Sequence, residues 1–325
     1  MSRRVLLIDI DSTIPNLALM KLSSWHKAQG DHVALRRMAK PDMVYASCVF
    51  TWGQVTLSNA RNFHPDLLAG GPGTDIKSTL PALIAAMPPD YSLYRWDLLR
   101  GRGFTKPFAL GYLTKGCPRR CRFCIVWDAD PTPRQVATLD SLLRPDTNLL
   151  VLLDDNFLAK EALACSLLEE MTERRLEVCF GQGLDIRFLT DALAEKLAKL
   201  SFWNLHRTSR QLTFAFDSLS IESSWRTGIE RVLKAGVKPR QIQSLFLVGF
   251  DSTPEEDLER FRIMRSYGVD PFCMVYRDRK QTQRKVSDTR LHHFAKWVNQ
   301  RLYNSCTFED YRPWARQRSQ LPLPL

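Results

Sequence analysis

From Phe108 to Tyr276 the chain repeats a short apolar run followed by an amphipathic stretch, and this alternation restricts the fold more than any other feature. The apolar runs lie at about 108–113, 149–154, 177–182, 212–217, 242–248 and 272–276, with helical stretches at about 134–143, 157–174, 190–200, 222–235 and 254–267. Strands separated by helices cannot pair as hairpins. The crossover returns the chain to the same end of the sheet, so successive strands pair in parallel with helices against them. The expected class is α/β, with chemistry at the strand C-terminal ends.

Directly after the first run stands Cys117-Pro118-Arg119-Arg120-Cys121-Arg122-Phe123-Cys124. Thiolates this close repel one another unless a cation compensates them, and they favour iron–sulfur clusters, zinc or copper(I). Three ligands rather than four leave a coordination position open, which suits catalysis. Three unrelated core thiols and a small zinc site are the other readings. Zinc sites usually pair two Cys/His half-sites, and no second pair stands at a matching spacing. Cys48, Cys165, Cys179, Cys273 and Cys306 stand singly, mostly within apolar runs. They do not form a disulfide framework, and a reducing cytoplasm suits them.

The Cys-x3-Cys-x2-Cys spacing, with Phe123 before the last cysteine, resembles the cluster loop of the radical S-adenosylmethionine (SAM) superfamily. That resemblance implies a partial (β/α)6 TIM barrel over 108–280. It implies a [4Fe–4S] cluster on Cys117, Cys121 and Cys124, with SAM on the fourth iron, and reductive cleavage of SAM to a 5′-deoxyadenosyl radical. An electron donor such as flavodoxin or ferredoxin is implied too.

The strand ends offer candidate SAM contacts. Asp154-Asp155-Asn156 ends the second strand where the family often has Gly-Gly-Glu, and an acidic helix cap is the alternative. Gln182 suits a ribose hydroxyl or the substrate. Asp185 and Arg187 offer opposite charges or simply pair with each other. Asp217 follows an apolar run, and Arg226 is a candidate for the SAM carboxylate. Val248-Gly249 resembles the family's adenine segment, and Met274 lies on the sixth strand near adenine. Thr253, Pro254 and Glu256 are explained as a capping box without any catalytic role.

Before the barrel, strands are expected at Val5–Ile10, His32–Leu35, Met43–Phe50 and Leu67–Gly70, with a helix from Pro15 to Gln29. Only about seven residues of helix fit between the last two strands, so an abbreviated Rossmann-like sheet over 1–87 is expected, then a linker over 88–107. Gly30-Asp31-His32-Val33 and Gly70-Gly71-Pro72 resemble the cobalamin-binding-like domain that precedes many radical SAM barrels. No Asp-x-His-x-x-Gly motif is present. His26, His32 and His64 are cobalt-ligand candidates by residue type only. Gly70 and Gly71 either admit a cofactor tail or form a turn, so the residues leave cobalamin open.

The formal net charge is +11, and residues 277–325 hold eleven Lys/Arg against four Asp/Glu. This basic C-terminal extension over 281–325 suits nucleic acid, an anionic substrate, or plain solvation. Its helix from Thr289 to Tyr303 carries an apolar stripe of Leu291, Phe294, Val298 and Leu302, expected to pack on the barrel; Trp314 and Arg316 are candidates to cover the cleft. No signal peptide and no eighteen-residue apolar span is visible. The reading is a radical SAM enzyme, with cobalamin-dependent methyl transfer or rearrangement as one outcome. The rivals are a cobalamin-free enzyme acting on a small molecule, nucleotide or RNA, and a non-catalytic metal-stabilised binding protein.

Overall fold

The computed structural model describes residues 2–278 and 289–311. Trp314, Arg316 and most of the Lys and Arg of the basic extension lie outside them. The N-terminal part is a four-stranded parallel sheet of β1 (Arg4–Asp9), β2 (His32–Leu35), β3 (Met43–Ser47) and β4 (Leu68–Gly70), in the order β2-β1-β3-β4. Val5 and Leu7 of the central strand pack with Leu19 and Leu22 of α1 (Leu17–Ala28). Ala46 of β3 packs with Leu57 of α2 (Gln54–Phe63). A strand covered on both faces is apolar along its length, which is why β1 reads as an unbroken run. Asn16 starts α1 by accepting the Leu19 N–H at 3.1 Å. The sheet has the four expected strands, but α2 is ten residues long, longer than expected.

The second part holds β5 (Ala109–Gly111), β8 (Leu149–Leu152), β9 (Glu177–Phe180) and β10 (Ser201–Phe202) in one parallel sheet. A second contains β11 (Leu212–Ala215), β12 (Ile242–Val248) and β13 (Asp270–Val275). Leu184 joins them: its N–H donates to Thr213 O at 2.8 Å, in a parallel bridge to Phe214. Gly183, at φ +78°, makes the turn that permits it. The six predicted runs thus stand side by side in sequence order. Among the described residues no pairing joins β5 to β13, so the sheet stays open. Helices α3 (Glu161–Glu173), α4 (Asp191–Lys199), α5 (Glu222–Lys234) and α6 (Pro254–Ser266) supply the crossovers. The expected capping box of Thr253 and Glu256 starts α6.

One expected helix is absent. Residues 134–143 contain β7 (Arg134–Gln135), paired antiparallel with β6 (Thr114–Lys115), and then a single turn at Leu139–Leu142. Pro131 and Pro133 favour extended backbone before this segment, and the Val136 N–H is taken by Leu113 O at 2.8 Å.

Alternation separates the two faces of the sheet. Phe214, Phe216, Phe246 and Val248 are buried against the helices, whereas Thr213, Ala215, Leu245 and Leu247 are only half-buried on the opposite face. Each open edge is blunted by a side chain. At β5 the Tyr91 hydroxyl accepts the Leu110 N–H at 2.8 Å. At β13 the Asn299 amide accepts the Cys273 N–H at 2.8 Å and donates to Cys273 O at 2.9 Å. Asn299 ends α7 (Thr289–Asn299), whose Phe294, Trp297 and Val298 are buried in the core, as the apolar stripe requires. The C-terminal ends of the two parts face each other, with Arg277 after β13 lying 4.9 Å over the ring of Trp52 after β3.

Candidate functional site

The cysteine loop leaves β6 through Gly116, at φ +88°, where a β-carbon would stand 2.3 Å from Thr132 O. Only glycine fits that approach. Two carboxylates at the end of β8 brace the stem. Asp154 accepts the Leu113 N–H at 3.2 Å, the Thr114 N–H at 2.5 Å and the Thr114 hydroxyl at 2.6 Å. Asp155 accepts the Gly116 N–H at 2.8 Å. Burial pushes the Asp154 carboxyl up to about 6, against the pull of Thr114 and Leu113. Burial raises Asp155 too, opposed by the Gly116 N–H.

Each of the three sulfurs receives its own N–H donor. Asn156 Nδ2 stands 3.3 Å from Cys117 Sγ, Arg187 Nη2 3.6 Å from Cys121 Sγ, and the Val126 N–H 3.4 Å from Cys124 Sγ. Asp185 organises two of these donors. It pairs with Arg187 at 2.7 and 2.8 Å, accepts from Asn156 at 3.3 Å, and faces Arg119 Nε at 3.7 Å. Burial, and then the neighbouring Cys121 and Cys117, raise the Cys124 thiol. Donors aimed at sulfur compensate thiolate charge and tune a bound cluster.

Two acceptors in this region are buried and unpartnered: Asn156 Oδ1 and Asp217 Oδ1. Burial pushes Asp217 up to about 6, opposed first by Arg260. Open acceptors beside a row of thiols suit a ligand with N–H donors, such as the amino group of SAM. Among the described residues no three His, Cys, Asp or Glu side chains converge as a single-ion site. Three thiols on one loop, each with an N–H donor, are the donor type that an iron–sulfur cluster takes.

Not every predicted site residue joins this network. Cys117, Cys121, Cys124, Asn156, Asp185 and Arg187 come together, and Phe123 leaves the loop to meet Phe250 edge-on at 5.9 Å. Gln182 is exposed and lines a small recess with Asp154 and Phe180. Met274 is half-buried on β13.

Arg226 instead bonds Glu222 at 2.8 Å and lies over Tyr267. Tyr267 follows α6 at the end away from the strand C-termini, so Arg226 points off the site. Val248 is core, and its carbonyl accepts the Tyr276 N–H at 2.8 Å, which removes it as a ligand contact. At Gly249 the position of a β-carbon lies 2.5 Å from Leu291 Cδ1, so α7 fills its open side. Gly71, at φ +103°, is filled in the same way by Cys48 O at 2.4 Å, and the Gly70 carbonyl accepts the Cys48 N–H at 2.9 Å. These glycines pack a turn onto the end of β3.

His26 is buried with both ring nitrogens engaged, by Asp31 at 2.8 Å and Tyr45 at 3.2 Å. His32 opens β2, and His64 caps the C-terminus of α2. Among the described residues no histidine stands at the C-terminal end of an N-terminal strand. Sequence reasoning passed over Arg119, which lies 4.4 Å over Phe188, and Gly116, whose place directly before the first cysteine was the available signal. A cavity of about 360 Å³ lies elsewhere, against Met20, Tyr91, Tyr94 and Arg144.

No protein-family profile matches the chain, and no curated protein matches it. Solved structures do. The radical SAM methyltransferase TsrM from Kitasatospora setae, described with cobalamin and a [4Fe–4S] cluster bound, superposes with a TM-score of 0.60 at 15% identity, over 85% of this chain and 72% of that one. The chain shares the fold of that structure. Two further likenesses are more distant. The cobalamin-dependent SAM radical enzyme OxsB has a TM-score of 0.48 at 14% identity, over 96% of this chain and 56% of that one. SuiB of Streptococcus suis, bound to SAM, has 0.39 at 12%, over 64% and 55%. In this chain Cys117, Cys121 and Cys124 follow β5, the first strand of the six-strand run, on the loop after β6.

Proposed function

We propose that this chain is a radical SAM enzyme, built as a Rossmann-like domain over 1–87, a linker over 88–107, a partial (β/α)6 barrel over 108–280 and a C-terminal extension. One observation carries the reading: three thiols on one loop, each with its own N–H donor, beside two unpartnered buried acceptors. Cys117, Cys121 and Cys124 would hold a [4Fe–4S] cluster. Asn156 Oδ1 and Asp217 would receive donors of SAM. Asp155 and Asp154 hold the loop stem, while Asp185 fixes Arg187 against Cys121. Bound there, the cluster and SAM supply a 5′-deoxyadenosyl radical that takes hydrogen from carbon. The electron would come from a small carrier such as flavodoxin or ferredoxin. Anaerobic reconstitution tests the cofactor: a brown protein with about four irons per chain supports the reading, and a colourless protein without iron contradicts it.

A cobalamin-dependent methyl transfer or rearrangement is the second reading. It is favoured by the TsrM likeness, whose 85% share is too large to be met by residues 88–325 alone. Cobalamin would then bind without a histidine from this chain, as His26 is engaged and, among the described residues, no other stands at the C-terminal end of an N-terminal strand. Titration with cobalamin, followed by its absorbance, decides between the two. Action on RNA would rest on the basic extension, most of whose Lys and Arg lie outside the described residues, and salt-dependent RNA binding tests it.

A further inference from the structure

The cavity of about 360 Å³ is not used by the cluster chemistry. Tyr91, Tyr94 and Trp96 of the linker line it together with Phe108, Arg144 and Asp146 of the second part. Phe108 directly precedes β5, and Arg144 and Asp146 precede β8. These three therefore stand at strand N-terminal ends, whereas Cys117, Cys121 and Cys124 follow the C-terminal end of β5. Small-molecule pockets favour such junctions between domains and span about 300–1,000 Å³. A volume near the lower end of that range bounds the ligand to one or two rings.

The ring walls are held before any ligand arrives. The Tyr91 hydroxyl accepts the Leu110 N–H at 2.8 Å, and the Tyr94 hydroxyl donates to Asp9 at 2.7 Å. Asp90, at the entry to this stretch, accepts the Ser92 N–H at 2.9 Å and the Lys27 ammonium at 2.7 Å. Trp96 opens the short helix Trp96–Gly101, and Phe108 packs in one apolar cluster with Tyr94 and Leu99. Fixed aromatic walls favour a flat ring, which can stack on one and meet another edge-on.

Arg144 supplies the polar end. Its guanidinium lies 3.9 Å over the Tyr91 ring. Nε and Nη2 donate to the two Asp146 oxygens at 2.8 and 2.5 Å, and Nη1 donates to Phe108 O at 3.2 Å. A guanidinium carries five N–H groups. These bonds take three and leave two, both in the plane that the stack and the ion pair already fix. Donors so fixed lose little freedom on making a further bond, and a guanidinium fork matches a carboxylate. Asp146 is half-exposed, so water screens its hold on that charge.

We propose that this cavity is a ligand site separate from the cysteine loop and that it takes a small planar aromatic carboxylate. The carboxylate is bound by Arg144, and the ring packs among Tyr91, Trp96 and Phe108. The site does not depend on the radical SAM reading, because none of these residues touches the cysteines.

Binding of 2-naphthoate to the reconstituted full chain is measured by equilibrium dialysis, beside the uncharged 2-naphthamide and the saturated decahydro-2-naphthoate. Saturable binding of one 2-naphthoate per chain is expected, with each of the other two at least tenfold weaker. Arg144→Met should lower the affinity at least tenfold. Asp146→Asn, at an exposed position, should raise it at least threefold, because the cation then loses its competing carboxylate; a merely structural role of the pair would weaken binding instead. Saturating SAM or cobalamin should leave the affinity within threefold. Absence of saturable binding, equal binding of either control, weaker binding by Asp146→Asn, indifference of a folded Arg144→Met, or competitive displacement by SAM or cobalamin would each overturn the proposal. Iron content of the same wild-type sample reports separately on the radical SAM reading.

Discussion

Asp154 turns the fold of the cysteine-loop stem into a measurable pH dependence. Its carboxyl is buried and pushed up to about 6 from the ordinary 3.8. The folded chain therefore holds this proton more tightly than the unfolded chain. The stabilisation is fully present below the unfolded value and is lost as the pH rises through about 6. Relative to the protonated state the ionised carboxylate costs about 3 kcal/mol near pH 7.5, and about half of this is recovered near pH 5. In Asp154→Asn that cost disappears. One oxygen remains for Thr114, but the new amide N–H groups face the Leu113 N–H, which costs about 1–3 kcal/mol at all pH values. The two terms nearly cancel at neutral pH, so the informative quantity is the difference between pH values. Urea unfolding of the metal-free reduced chain near pH 7.5 and pH 5 should show wild type gaining about 1.5 kcal/mol more than the variant on acidification. Parallel behaviour of the two proteins would refute the reasoning, because it would mean that Asp154 ionises as it does in water.

The glycine turn and the sheet edge give two further stability tests. Gly71→Ala places a β-carbon 2.4 Å from a Cys48 carbonyl that the Gly73 N–H already holds at 3.0 Å. It should cost about 2–4 kcal/mol, and an unchanged melting temperature would contradict that packing. Asn299→Leu strips the edge of β13 of both its partners and should cost about 2–3 kcal/mol in chemical denaturation; a neutral result would mean that solvent serves Cys273 equally well. Arg187→Met removes the donor to Cys121, so a reconstituted cluster should titrate at a more negative potential, and an unchanged potential would separate Arg187 from the cluster.

Much of the fold was legible because it depends on local pattern. Six apolar runs and their crossovers predicted the strand order, and the spacing of Leu291, Phe294 and Val298 predicted a packed α7. The segment 134–143 was misread because its composition suits a helix, while Pro131, Pro133 and pairing with Thr114–Lys115 hold it extended. At the site, strand-end position singled out Asn156, Asp185 and Arg187, which do reach the cysteines. Position alone could not say which way a side chain turns. Arg226 found Glu222 on its own helix, and Asp154 turned inward to the backbone of Leu113 and Thr114. Gly249 and Gly71 looked like openings for a ligand, but what fills them comes from residues distant in the chain, Leu291 and Cys48. The pairing of Trp52 with Arg277 spans two sheets and leaves no sequence signature.

The central claim is that Cys117, Cys121 and Cys124 hold a cluster that cleaves SAM. Its most direct test is 5′-deoxyadenosine formation by the anaerobically reconstituted chain with SAM and a reductant, compared with Cys121→Ala treated identically. The account predicts product from wild type, and neither product nor a full iron complement from the variant. Equal product from the variant, or none from an iron-loaded wild type, would contradict it.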